Sequence, residues 1–543
     1  MKKFLLTSTA LCIVAITSNL NAALIAETYS SPTSGTVDWS AATWSPTVSG
    51  GPNNGANTYD ATITHSTSDN LILNTSSDIT IQGLALSASS GSMNFNLGGN
   101  FTVASGSTGI TTNITNTTGS ASNLVIDLNG HTLDLSHSGQ VGTVATNTNF
   151  TINSSSAGGI FKIPTQSYTG APSWVFGNNV TQQITGSSTY IYTYNETFAA
   201  NATLQIASAA TNGEWETLST GAGPNKIGGN AIIGDGTTSN TVLLYAEGVA
   251  SISTLNRLNT VNGNFTITAN SNIAMGGYLS SSQGIVGMKV GGNFTDNNTT
   301  TGTYNSNLSF GAGYPNSTAG VNTVIYLNGG AGTEHLLTIN RTLAASTQGG
   351  ITTFQVGDGT TAGNIKLGHD FNTAGTFTVL KGSRFNLGNY TLTTGGNQAA
   401  GSGNNAGWSV AQNSLTIQAG VGGVNPTLAY TFGNAGTGLL NSTAGTVSLN
   451  TFNLELNYDA SGWTTGNILL VQYAGTLTGT PTIGTLTFNG GTFTYGALDT
   501  STAGKIYLDN VALVPVPEPG AVLLIGAFGG LVVWTVRRKN RKA

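Results

Sequence analysis

Cysteine is nearly absent: the 543 residues hold one, Cys12, inside an apolar run close to the amino terminus. Once that run is removed no thiol remains, which excludes disulfides and thiol chemistry and leaves burial and backbone pairing to hold the fold. Charge is almost as scarce, at 7% where about 25% is usual. Between the two ends only nine basic residues stand against 20 acidic ones, leaving that region eleven charges negative. No basic patch for nucleic acid can be assembled from so few cations. No apolar pattern of helical period and useful length occurs there either. Proline is limited to 12 residues, few for a low-complexity chain.

What the chain has instead is 75 glycines, and Thr, Ser and Asn alternating with Leu, Ile, Val and Phe. Asp60-Ala61-Thr62-Ile63, Leu71-Ile72-Leu73, Ile79-Thr80-Ile81 and Leu84-Ala85-Leu86 follow one another at roughly ten-residue spacing with polar turns between, the pattern of continuous all-β structure.

One phrase recurs beyond residue 90, a Gly/Asn turn followed by an aromatic or His and a Thr-rich strand. It stands at Gly98-Gly99-Asn100-Phe101-Thr102, Asn262-Gly263-Asn264-Phe265-Thr266, Gly291-Gly292-Asn293-Phe294-Thr295 and Gly388-Asn389-Tyr390-Thr391-Leu392. Looser copies are Asn129-Gly130-His131-Thr132-Leu133 and Asn489-Gly490-Gly491-Thr492-Phe493. A second phrase, Ile233-Gly234-Asp235-Gly236-Thr237-Thr238, returns as Val356-Gly357-Asp358-Gly359-Thr360-Thr361. Repeats without a rigid period mark a solenoid whose coils differ in loop length, and a parallel β-helix is the expected body of the chain. Asn129-Gly130 suits either a two-residue hairpin or a corner between two faces of one coil. Trp39 and Trp44 are expected to cap the open end of the stack rather than to form a sugar-stacking platform. The texture changes after Gly401, so residues 23–400 are read as the solenoid passenger and 401–514 as a C-terminal β-sandwich or cap.

The ends carry targeting signals. Lys2-Lys3, an apolar run over 4–16 and the small residues at Asn21-Ala22-Ala23 form a secretory signal peptide over 1–22, which implies the Sec translocation machinery. Leu11 before Cys12 is too bulky for a lipoprotein attachment site. At the other end Val516-Pro517-Glu518-Pro519-Gly520 is a stiff break. Residues 520–536 are uncharged and as a helix reach about 26 Å, enough for a single short C-terminal transmembrane helix. Arg537, Arg538, Lys539, Arg541 and Lys542 follow, and basic residues beside a span are held on the cytoplasmic side.

This tail resembles the PEP-CTERM sorting signal of bacterial surface proteins. The resemblance covers residues 515–543 and implies recognition of Pro517, Glu518 and Pro519 by an exosortase, a membrane protease. It also implies residence in the membrane until processing, and then at the cell surface or in the extracellular exopolysaccharide matrix. The opening with its two tryptophans is similar to proteins with autotransporter-associated β-strand repeats.

Candidate chemistry is sparse. His131 and His137 share one side of an extended strand with Leu133 and Leu135, with Asp134 opposite, and no metal-ligand spacing follows for these or for His65, His335 and His369. Asp235 and Asp358 sit in Gly-Asp-Gly phrases, which two isolated copies make tight turns rather than calcium sites. Glu214 and Glu216 flank Trp215 about 7 Å apart on one strand face, the best candidate for a polysaccharide-degrading β-helix enzyme but without a cleft or a raised acid. Thr-x-Thr recurs, as at Thr376-Phe377-Thr378 and Thr485-Leu486-Thr487, and a flat ladder of such pairs would suit an ice-binding surface. Their irregular spacing favours the ordinary outward role of Thr on strands. No catalytic residue, metal or cofactor is assigned, and the expected function is structural or adhesive.

Overall fold

Alternation along the strands separates inside from outside. On Val180–Ile184, Val180, Gln182 and Ile184 are buried while Thr181 and Gln183 stand half-exposed between them. A computed structural model of the chain describes residues 24–515 apart from 32–34, 56, 89–90, 105–112, 116–122, 138–148, 164–172, 186–189, 193–195, 208–212, 217–225, 238, 246–258, 277–284, 303, 305–321, 331, 344–351, 381, 395–413, 418–424, 434–436 and 460–461. Among these residues every regular element is a strand. The expected transmembrane helix and the sorting residues Pro517, Glu518, Pro519, Arg537, Arg538, Lys539, Arg541 and Lys542 lie outside the described residues, as does the signal peptide.

The strands stack as a three-sided parallel solenoid. One coil shows the path: Gly83–Ala88 on the first face, Ser92–Asn96 on the second, Phe101–Val103 on the third. The third face is a 15-stranded sheet from Ile79–Ile81 to Thr482–Asn489, with one strand from each successive coil. The second face is built from a seven-stranded and a nine-stranded sheet, and the first from two four-stranded sheets and a closing seven-stranded one. The ladders cross residue 400 without a break, since Phe377 pairs with Leu415 and Arg384 with Thr427, both in parallel. Among the described residues antiparallel pairing between strands appears at the carboxyl end, where Lys505–Leu513 folds back on Thr465–Tyr473, and as a single bridge at the amino end between Thr28 and Ser45.

Parallel register places like on like inside. Ala231, Phe265, Phe294 and Leu337 are successive partners on the third face and none is more than 1% exposed. Each such Phe or Leu contributes about 1.5–3 kcal/mol by leaving water, and this core runs the length of the stack. The recurrent phrase is now explained. Four of its six copies occupy the corner between the second and third faces: Gly98 to Asn100, Asn129-Gly130, Asn262 to Asn264 and Gly291 to Asn293. Phe begins the inward row, and Asn caps the next coil: Asn230 Oδ1 accepts the backbone N–H of Asn264, Asn264 that of Asn293, and Asn293 that of Leu336, at 2.8–2.9 Å. Glycine is needed because coils touch there; a Cβ on Gly292 would lie 2.7 Å from the backbone of Gly263. Asn129-Gly130, with φ of 47° and 81°, is such a corner and not a hairpin, because Asn123–Asp127 and Thr132–Asp134 belong to different sheets.

At the amino-terminal end a tryptophan loop covers the first and third faces, while Gly35–Asp38, the terminal strand of the second face, is paired on one side only among the described residues. Trp39 and Trp44 are 2% and 1% exposed, their rings 4.7 Å apart, and Trp39 packs on Phe101 at 5.3 Å. Each indole N–H is satisfied, Trp39 donating to Pro52 O and Trp44 to Trp39 O, both at 3.0 Å. The loop that carries them covers two sheet edges: Ser45 exchanges backbone hydrogen bonds with Thr28, and Asn53 and Asn54 bond to the backbone of Thr80. Both tryptophans are therefore cap residues, closed to a sugar.

An ion pair is sealed inside. Asp296, fully buried, accepts hydrogen bonds from Arg341 Nε at 2.7 Å and Tyr304 Oη at 2.6 Å, and Arg341 donates to Asn272 at 2.7 Å. It sits where the first face thins, among the described residues, to single bridges from Gly302 to Leu343 and from Leu343 to Thr373.

Candidate functional site

The second face carries a two-row hydroxyl array over its last coils. Thr376–Val379, Ser414–Ile417, Thr446–Leu449 and Thr476–Thr478 lie side by side. Their register aligns Thr378 with Thr416, Thr416 with Ser448 and Ser448 with Thr478, although Thr378 itself is buried, at 8% exposed. Two positions earlier Thr446 aligns with Thr476, and Thr376 stands two positions before Thr378 in its own strand; Ser414 is in register with Thr446, its side chain lying outside the described residues. Between the rows Phe377, Leu415 and Val447 are buried beneath the sheet. Neighbouring strands stand about 4.8 Å apart and alternate residues about 7 Å apart, which fixes the mesh of the array. No charged residue occurs in these four strands or in Thr352–Val356, the strand before them. Hydroxyls and methyls at fixed spacing can order water or accept a lattice of hydroxyl partners.

The third face differs, because charge straps its coils together. Arg384 binds both oxygens of Glu455, Nε to Oε2 at 2.9 Å and Nη2 to Oε1 at 2.8 Å, and also bonds to Glu334. The strand between Arg384 and Glu455 contributes Ala429, which is fully buried and small enough to pass beneath the pair. Hydrogen bonding from Arg384 holds Glu455 below the usual carboxylate range. Partial burial pushes Glu334 up, but bonds from Asn386 and Arg384 outweigh it and keep that carboxyl low too. The charges satisfy one another and leave no open acid and base.

The residues singled out in the sequence are scattered. Gly213–Glu216 is a strand of the first face whose Glu214 is opposite Tyr190 and Leu243; the side chains of Glu214 and Glu216 lie outside the described residues. The two Gly-Asp-Gly phrases occupy different corners, third to first face for Asp235 and second to third for Asp358. Both are tight turns, with φ of 82–88° at the four glycines. Asp235 Oδ1 accepts the N–H of Thr237 at 2.8 Å and Asp358 Oδ1 that of Thr360 at 2.9 Å. Partial burial raises the Asp358 carboxyl, but Lys289 at 2.7 Å and the turn's donors dominate and hold it far below the ordinary range. His65 is buried, and His131, His137, His335 and His369 lie apart from one another. Asp134 faces outward to Lys162 at 3.1 Å. Among the described residues no three His, Cys, Asp or Glu side chains converge.

The array was not foreseen, because its strands begin 38, 32 and 30 residues apart, at 376, 414, 446 and 476. Of the Thr-x-Thr pairs in the sequence, Thr376 and Thr378 belong to the array, whereas Thr485 and Thr487 fall on the third face. No family model matches the chain, and no curated protein or solved structure gives a match.

Proposed function

We propose that the chain is an exported, non-catalytic protein of the cell surface or extracellular matrix, a structural or adhesive rod working against exopolysaccharide. In this reading the amino-terminal signal passes it through the Sec machinery. The tail holds it in the membrane until an exosortase-type protease acts at Pro517, Glu518 and Pro519. The observation that carries the reading is the uninterrupted 15-strand face, about 70 Å long, with apolar side chains inside and Thr, Asn and Gln rows outside. Such a surface offers hydroxyl and amide groups at every coil to a long polar polymer. The test is cell fractionation with and without residues 515–543, together with retention of the purified rod on the host's matrix polysaccharide. A cytosolic intact chain, or a rod that washes through, overturns it.

Ice binding is a second reading, favoured by the charge-free hydroxyl array from Thr376 to Thr478. Thermal hysteresis of the purified rod distinguishes the two, since a matrix adhesin has no reason to show it.

A further inference from the structure

The recurrent Gly/Asn phrase has a copy that departs from its rule. Phe101, Phe265 and Phe294, which follow the turn at the corner between second and third faces, are 0% exposed. In Gly388-Asn389-Tyr390 the phrase stands instead between third and first faces, and its aromatic is half-exposed and carries a hydroxyl. Tyr390 packs against the core, and its ring lies 17° from parallel to that of the exposed His369, one coil back, with centroids 6.3 Å apart.

Polar groups without partners gather beside these rings. The stem of Lys366 runs past Gly388, its Cε 3.7 Å from where a Cβ on that glycine would stand, and Tyr390 Cδ2 is 3.8 Å from the same point. Glycine thus lets an ammonium stem and a phenol ring converge. Among the described residues Lys366 makes no ion pair, whereas Lys162, Lys289, Arg341 and Arg384 each hold an acid. Glu334, the carboxylate that senses Lys366, is bound instead by Arg384 and Asn386. Asp370 Oδ1 accepts the N–H of Thr391 at 2.8 Å, and its other oxygen has no partner among the described residues. His369 Nδ1 donates to the backbone oxygen of Asp370 at 3.0 Å, which leaves Nε2 as the unpartnered nitrogen.

We propose that this margin of the rod is a glycan subsite, where a pyranose unit of a neutral polysaccharide lies against Tyr390 while Lys366 donates to its hydroxyls and Asp370 accepts from them. A sugar hydroxyl is donor and acceptor at once, so an ammonium and a carboxylate flanking one ring suit it. The aromatic ring supplies the apolar surface that the C–H side of the sugar needs, and the polar groups fix its orientation. A neutral polymer fits better than a uronate-rich one, because the region between the two ends is eleven charges negative and repels a polyanion. The inference rests on the adhesive reading and names the class of its ligand.

The experiment uses the exported full chain in a zwitterionic detergent, since a glycoside headgroup would compete for the site. Hydroxyethyl cellulose and dextran serve as neutral probes and polygalacturonate as the acidic one, each in affinity gel electrophoresis. Retardation by a neutral polymer is expected, unchanged by added salt. Tyr390→Ala and Lys366→Met are each expected to weaken it at least about fivefold. Tyr390→Phe, which keeps the ring, and Tyr495→Ala, in the carboxyl-terminal region, are expected to retain it, and all four variants should match the parent in circular dichroism. Binding to neither neutral polymer, tighter binding to polygalacturonate, or affinity unchanged in Tyr390→Ala and Lys366→Met overturns the proposal. A rod that is retained on the matrix polysaccharide yet indifferent to those two substitutions removes the subsite and leaves the adhesive reading standing.

Discussion

The backbone N–H of Asn293 donates to the side-chain oxygen of Asn264, one coil back, at 2.9 Å. Asn264 likewise donates to Asn230, so the corner between second and third faces is stitched by side chains as well as by sheet. Replacing Asn264 with Ala removes one stitch and is expected to cost about 1 kcal/mol. Amide hydrogen exchange checks it, with Asn293 opening faster and Thr181, several coils away, unchanged. Gly292→Ala at the same corner is expected to cost more, because its Cβ meets the backbone of Gly263.

Arg384 contributes to the acid limb of the stability profile. Glu334 and Glu455 have lowered folded-state carboxyls, so the unfolded chain takes up protons first as pH falls. Their contribution is present above the ordinary glutamate value of about 4.3 and is lost below it, as pH falls through the folded values. Arg384→Gln is expected to lower stability at neutral pH by about 1 kcal/mol, a modest figure because the group is partly solvated. Urea midpoints at pH 7 and pH 3 check this, the gap between variant and parent narrowing in acid.

The solenoid class was legible in the sequence, and so were the capping role of Trp39 and Trp44 and the turn role of Asp235 and Asp358, because each rests on local pattern. Relations across coils were not. Arg384 and Glu455 are 71 residues apart, and nothing in either neighbourhood points to the other. Thr416 and Ser448 became neighbours only once the loops between them were subtracted, since unequal loops erase any period a reader could count.

Asp296 and Arg341 test how a sealed ion pair behaves. Asp296→Asn leaves the Arg341 guanidinium buried without its counter-charge and is expected to cost about 3–5 kcal/mol. Asp296→Leu with Arg341→Met removes both charges and is expected to recover most of that loss. Chemical denaturation of the three proteins decides it, and equal losses in single and double variants would count against the pair.

The hydroxyl array can be spoiled without unfolding the coil. Thr416→Lys places a charge at its centre and is expected to change stability by no more than about 0.5 kcal/mol. On the ice-binding reading, thermal hysteresis shown by the parent is expected to disappear in this variant and to survive Thr181→Lys on the third face. Equal activity in both variants would remove the array from consideration.

The corner between second and third faces never takes more than nine residues, whereas 19 separate Thr394 from Ser414 between first and second. The spine of the rod is thereby uncoupled from the material hung on its other margins. A peptide tag spliced into residues 395–413 should ride along as cargo, leaving the parallel pairing of Thr378 with Thr416 where it is. Such a scaffold can gain or lose ornament in one step of evolution without renegotiating its core.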